Sequence, residues 1–208
     1  MKEQQDHVRD IAEIRTMMER SSRFLSLSGW AGVMAGIYAL CGAYIAWTVI
    51  HFVPDGTVHG PAGEGSMPGG PLPVVFLAAT VLVLTIGTAV LLSFRKAQKR
   101  GEQIWNATSR RLMVSLAVPL LAGGALIVIL CSKGLVGLSM PLTLLFYGIA
   151  IYSAGRFTYH EVRSLGLIEI GLGLTSCWFT QYSLLFWAIG FGVVHIVYGV
   201  YIYSRYER

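Results

Sequence analysis

LPVVFLAATVLVLTIGTAVLLSF, residues 72–94, followed at once by RKAQKR, residues 95–100, decides what kind of protein this is. The first run carries no charge over 23 residues. At about 1.5 Å of rise per residue, a helix of that length crosses the roughly 30 Å hydrocarbon core of a bilayer. The unbroken apolar run excludes a barrel strand, which would alternate polar and apolar residues in segments of roughly ten. The basic cluster behind it marks the side on which the helix ends.

Outward from this span, five more stretches reach or approach the same length: residues 27–52, 112–131, 138–155, 164–181 and 183–204. The composition agrees, since 54% of the 208 residues are hydrophobic, only 13% are charged, and the mean hydropathy is +0.61. A soluble enzyme core, a disordered tail protein and a disulfide scaffold are excluded on that ground. The expected fold is all-α, a polytopic membrane bundle of six transmembrane helices. Residues 1–26 form a cytoplasmic amphipathic helix, 27–204 the transmembrane domain and 205–208 a cytoplasmic tail.

Lys and Arg near membrane spans stay on the cytoplasmic side. With both termini inside, five lie before the first span (Lys2, Arg9, Arg15, Arg20, Arg23) and six between the second and third (Arg95, Lys96, Lys99, Arg100, Arg110, Arg111). Arg156 and Arg163 occupy the turn between the fourth and fifth spans, and Arg205 and Arg208 the C-terminus. Of the 16 basic residues only Lys133 is left outside. The pI of 9.2 therefore records orientation, not nucleic-acid binding. The mixed-charge N-terminus has no signal-peptide pattern, so the first span is expected to be an uncleaved anchor in a bacterial inner membrane.

Three segments lie outside the spans. Up to about Leu25, Val8, Ile11, Ile14 and Met18 repeat at helical spacing beside the pairs Arg15–Glu19 and Glu19–Arg23, giving an amphipathic surface for the bilayer or a cytoplasmic partner at residues 1–24. Residues 54–73 hold five of the seven prolines and six glycines, an irregular external loop. His51, Asp55, His59 and Glu64 lie in or beside it without a known metal spacing, so no metal or other cofactor is expected. The connection from Arg95 to Arg111, with Ile104 and Trp105 embedded, reads as an interfacial helix on anionic headgroups.

Lipid tails supply no hydrophobic drive for helix association, so small residues must bring helices close. Ala31, Ala35 and Ala39 recur every four residues in the first span, with Gly32 and Gly36 beside them. Gly192 and Gly199 do the same in the last. These faces pack within the chain or between subunits, and a homo-oligomer is an expectation for so compact a bundle. Pro119 should kink the third span.

Each catalytic motif lacks a required residue. His160-Glu161-Val162-Arg163-Ser164 has Ser where a zinc-protease helix needs its second His, and Gly137-Leu138-Ser139-Met140 ends without the Gly of an intramembrane serine-protease turn. Gly171 and Gly173 follow no strand, so they form no dinucleotide fingerprint. Cys41, Cys131 and Cys177 are widely separated packing residues. The chain is not expected to be an enzyme.

One constellation stands out. Glu169 and His195 lie deep in the fifth and sixth spans, where a charged side chain costs roughly 2.5–3.5 kcal/mol and is usually paired, neutralised or functional. With the hairpin apex at Tyr182, both are thirteen residues from it and can meet. Glu169 shares a face with Gly166, Gly173 and Ser176, and His195 shares one with Gly192 and Gly199. Tyr152, Arg156 and Tyr198 are the supporting candidates. A structural pair would fix the hairpin register, whereas a functional one would exchange protons.

Residues 14–29 (IRTMMERSSRFLSLSG), 159–163 (YHEVR), 169–173 (EIGLG) and 184–192 (LLFWAIGFG) resemble the two ends of an uncharacterised family of small polytopic membrane proteins of Bacteroidetes-type bacteria. The resemblance implies an inner-membrane, multi-pass topology and no activity. An interaction or regulatory membrane protein is the leading expectation; the alternative is a proton-linked transporter or channel for a small solute using Glu169 and His195.

Overall fold

The computed structural model describes residues 28–52, 72–100, 105 and 107–207. The described residues form helices and no strand. Helix α1 spans Gly29–Thr48, α2 Leu72–Arg100, α3 Ala107–Ser132, α4 Ser139–Ala154 and α5 Glu161–Trp178, with a 3₁₀ turn at Val136–Leu138 leading into α4. A second 3₁₀ turn, Thr180–Tyr182, opens the last span, which continues as α6 (Ser183–Trp187), a π segment (Ala188–Val194) and α7 (His195–Tyr206). The expected N-terminal helix and nearly all of the Pro/Gly-rich loop lie outside the described residues.

Five helical stretches are long and apolar enough to cross a membrane: Gly29–Thr48, Leu72–Lys99, Ala107–Ser132, Val136–Ala154 and Thr180–Tyr206. The expectation had been six. Helix α5 differs because Glu161, Arg163 and Glu169 place three charged residues among its eighteen. Exposure is inverted relative to a water-soluble bundle: Phe76, Val83, Val90, Leu121 and Val128 are all more than 60% exposed. A surface of that kind suits lipid and would be unstable in water.

The packing order follows from the helix contacts. Helix α1 lies between α2 and the last span, α4 lies between α3 and α5, and α6 with its π segment touches both α4 and α5. Helices α2 and α3 thus form the two flanks. Where α1 meets the last span, a Cβ on Gly29 would come within 2.6 Å of the Gly199 carbonyl oxygen, and one on Gly32 within 3.1 Å of the Gly199 Cα. Gly36 meets Gly192 in the same way. Ala39 is buried in this region, while Ala31 and Ala35 are half-buried. The small-residue faces of the first and last spans are therefore contacts within one chain.

Gly166 and Gly173 pack elsewhere. A Cβ on Gly166 would meet the Tyr152 backbone nitrogen at 2.6 Å, and one on Gly173 would meet that of Leu145 at 2.7 Å, so these residues bring α5 onto α4. The glycine faces that carry Glu169 and His195 thus serve different contacts: one joins α5 to α4, the other joins the last span to α1. A stripe of small residues permits close approach but does not choose the neighbour.

The middle of the connection expected to form an interfacial helix, residues 101–104 and 106, lies outside the described residues. Arg95, Lys96 and Lys99 continue α2, and Arg110 and Arg111 lie in the first turns of α3, because nothing in either sequence breaks the helix at the apolar boundary. Helix α3 runs unbroken through Pro119. Tryptophans mark the ends of the bundle. Trp47 and Trp178 are exposed at the far ends of α1 and α5, and Trp30, at the opposite end of α1, meets the Tyr203 ring edge-on at 5.5 Å. Such belts hold helices at the two bilayer interfaces.

Candidate functional site

The described structure brings Glu169 and His195 together at the centre of the bundle. The His195 Nδ1 atom lies 3.4 Å from Glu169 Oε1. Glu169 has no exposed surface and His195 is 5% exposed. Helix α5 supplies the carboxyl, and the first residue of α7 supplies the imidazole. The third member, Tyr147 from α4, has its hydroxyl 2.8 Å from His195 Nε2.

Hydrogen bonding assigns the imidazole tautomer. His195 Nδ1 lies 2.9 Å from the Gly190 carbonyl oxygen, which can only accept, so Nδ1 carries the proton. In the neutral ring Nε2 then accepts the Tyr147 hydroxyl. Both ring nitrogens are satisfied without Glu169. The carboxyl meets the imidazole at 3.4 Å, but the Nδ1 proton is aimed at Gly190. Among the described residues neither Glu169 oxygen has a hydrogen-bond partner.

The π segment creates this arrangement. Its wider turn keeps residues four apart nearly in line, and the rings of Trp187, Phe191 and His195 follow one another with centroids 5.0 and 5.8 Å apart. Tyr147 completes the cluster, 4.8 Å from the Phe191 ring. On the other side Gly190 makes room for the acid. A Cβ there would stand 2.5 Å from Glu169 Oε2 and 2.7 Å from Leu144 Cδ2.

The expected supporting residues lie apart from this centre. Tyr152 accepts a 2.9 Å hydrogen bond from Arg163 Nη2, and the guanidinium sits 4.9 Å from its ring centroid. Arg156 is exposed in the turn between α4 and α5. Tyr198 packs against the cluster of Tyr159, Val162 and Ile202, its hydroxyl buried without a partner among the described residues. Tyr147 was the missing member. Counting from Thr158, in the turn between α4 and α5, Tyr147 lies eleven residues before and Glu169 eleven after, the same depth argument that pairs Glu169 with His195.

A second polar cluster closes the rim where α1 begins and the last span ends. The Glu207 carboxylate accepts from the Gly29 backbone N–H at 2.6 Å and from Lys96 Nζ at 3.0 Å, with Ser28 Oγ at 3.5 Å. Ser28, at the N-cap of α1, makes no capping bond of its own. The carboxylate instead meets the positive end of the α1 dipole. Beside it the Tyr206 hydroxyl donates to Glu161 Oε1 at 2.8 Å.

At the opposite end an open groove of about 650 Å³ lies between α1 and the last span, lined by Tyr44, Trp47, His51, Phe52, Tyr182 and Leu185 among others. Glu169, His195 and Tyr147 are not in its lining. No group of three or more His, Cys, Asp or Glu positioned to hold a metal occurs among the described residues. Comparison with protein families, curated proteins and solved structures finds no match for this chain.

Proposed function

We propose that this chain is a six-span protein of the bacterial inner membrane, with both termini in the cytoplasm, that serves interaction or regulation, not catalysis. Residues 1–24 are its contact for a cytoplasmic partner. The even number of crossings is supported by the Gly29–Glu207 hydrogen bond, which puts the start of the first span and the end of the last at one face. Five crossings would place them on opposite faces. Helix α5 supplies the sixth: its eighteen residues reach about 27 Å, its first-turn charges sit at the rim, and its only deep charge is Glu169.

The observation that carries the regulatory reading is closure of the centre. Glu169 is sealed from solvent, so no solute reaches it unless helices part. The first amide of α1, adjoining the N-terminal segment, is held by the end of the helix that carries His195. A partner pulling on that segment would act on the last span directly. Deleting residues 1–24 should abolish co-purification of cytoplasmic partners while leaving the bundle folded. Unchanged partners and phenotype would sink this reading.

A second reading, proton-linked transport or conduction of a small solute, is favoured by the unpartnered Glu169 carboxyl. Flux into liposomes under a pH gradient should be lost in Glu169→Gln. Equal flux in folded variant and wild type would remove the carboxyl from any transport step.

A further inference from the structure

The unexplained group in this bundle is the carboxyl of Glu169. It has no exposed surface, and among the described residues neither of its oxygens has a hydrogen-bond partner. The titratable groups facing it are Tyr147 from α4 and His195 from the last span, and each is occupied with the other. Helix α1, packed on the far side of the last span, presents Gly32 and Gly36 there. No Lys or Arg occurs in α4, the π segment or the part of α5 beyond Arg163.

Two charge arrangements are compatible with that geometry. In the first, Glu169 is ionised beside an imidazolium, which requires a second ring proton on Nε2 and reverses the Tyr147 bond so that the hydroxyl accepts. The ion pair would then be 3.4 Å long, with its Nδ1 proton directed at the Gly190 carbonyl instead of the carboxylate. A buried ion pair holds only when its geometry is close and its remaining lone pairs are satisfied, and neither condition is met. In the second arrangement the carboxyl is neutral, His195 is neutral, and Tyr147 donates to Nε2. No uncompensated charge remains in the bilayer core, and the one outstanding requirement is an acceptor for the carboxylic O–H.

We infer that Glu169 is a proton-binding site: the bundle holds one proton on this carboxyl, and releasing it leaves a carboxylate against Gly190 in the π segment. The binding step joins a proton to a carboxylate oxygen, with no other bond made or broken. Release places a negative charge where, among the described residues, no group donates to it, so the π segment must shift or admit water to accommodate it. Ring atoms and backbone meet there: Gly190 contacts the carboxyl, its carbonyl holds His195, and Gly192 two residues on packs against Leu40 of α1. A proton bound at one side chain is thereby tied to the contact between the first and last spans. This inference rests on the centre of Glu169, His195 and Tyr147, and not on a cytoplasmic partner, so loss of the partner reading leaves it standing.

Infrared spectroscopy of the purified full chain in lipid nanodiscs tests it. At neutral pH the wild type should show the C=O stretch of a protonated carboxyl, shifted downward in D₂O, absent from Glu169→Gln and retained in Glu161→Gln. If Glu169→Gln does not fold, Glu169→Asp replaces it, where the band should move in frequency. A wild type with no such band, or a band unaltered in the Glu169 variant that folds, would overturn the inference.

Discussion

At the scale of single residues, the decisive contrast is between two tyrosines on one helix. Tyr147 donates to a buried imidazole nitrogen that has no other partner among the described residues, and Tyr152 accepts from the half-buried Arg163. Removing the first hydroxyl strands Nε2 inside the bundle. Tyr147→Phe should therefore destabilise the protein by about 1–2 kcal/mol, in the range for a buried hydrogen bond lost on one side. Tyr152→Phe, at a rim where water replaces the lost bond, should cost no more than about 0.5 kcal/mol. Denaturation in mixed micelles, followed by aromatic circular dichroism, measures both. Equal losses would mean that water reaches His195 Nε2 as readily as it reaches Arg163. Glu169 and His195 were legible in the sequence because ionisable residues are rare in apolar runs and because depth can be counted from a hairpin apex. Tyr147 was not singled out because a tyrosine is unremarkable in a membrane helix, and Tyr152 drew attention by lying closer to the basic rim.

At the scale of elements, the five long apolar helices were legible as unbroken apolar runs, while the three charges of α5 keep it short of that mark. The π segment was not legible, since its i→i+5 bonding leaves no periodic trace in AIGFGVV. The partners of the glycine faces were also hidden: spacing reveals that a face is smooth, and only the packed structure reveals that Gly199 meets Gly29 while Gly173 meets Leu145. The glycines are accordingly unequal. Gly190→Ala puts a methyl against Glu169 and Leu144 in a packed core and should cost about 1–3 kcal/mol, the range for overpacking. Gly171, on the exposed side of α5, has open space around its Cβ position, and alanine there should be neutral or stabilise by up to about 1 kcal/mol through helix propensity. Thermal unfolding of both variants in the same detergent decides the point. A Gly190→Ala protein as stable as Gly171→Ala would show that the π segment can move away freely, contrary to its packing.

At the scale of the whole molecule, the two chain ends are joined by a bond that no local pattern announces. Glu207 caps a helix that begins 178 positions earlier, and Lys96 from α2 completes the contact, so three spans meet on one carboxylate. Its side chain is only 12% exposed and that of Lys96 11%, so solvent screening is limited. A charged acceptor on a helix N-terminus and a nearby ammonium each contribute on the order of 1 kcal/mol. Glu207→Gln should thus lower stability by about 1–2 kcal/mol, whereas Lys96→Met alone should cost less, because the Gly29 amide still holds the carboxylate. The double variant isolates the ion pair: its coupling should be about 1 kcal/mol and should shrink as salt is raised. A coupling near zero at low salt would remove Lys96 from the clasp. The same series reads out the link between ends and centre. If the last span transmits load from α1 to His195, amide exchange in the Ala188–Val194 segment should rise in Glu207→Gln, although the substitution lies twelve residues from His195 along the chain. Exchange unchanged there, with the rim alone loosened, would mean that α7 frays locally and carries nothing inward.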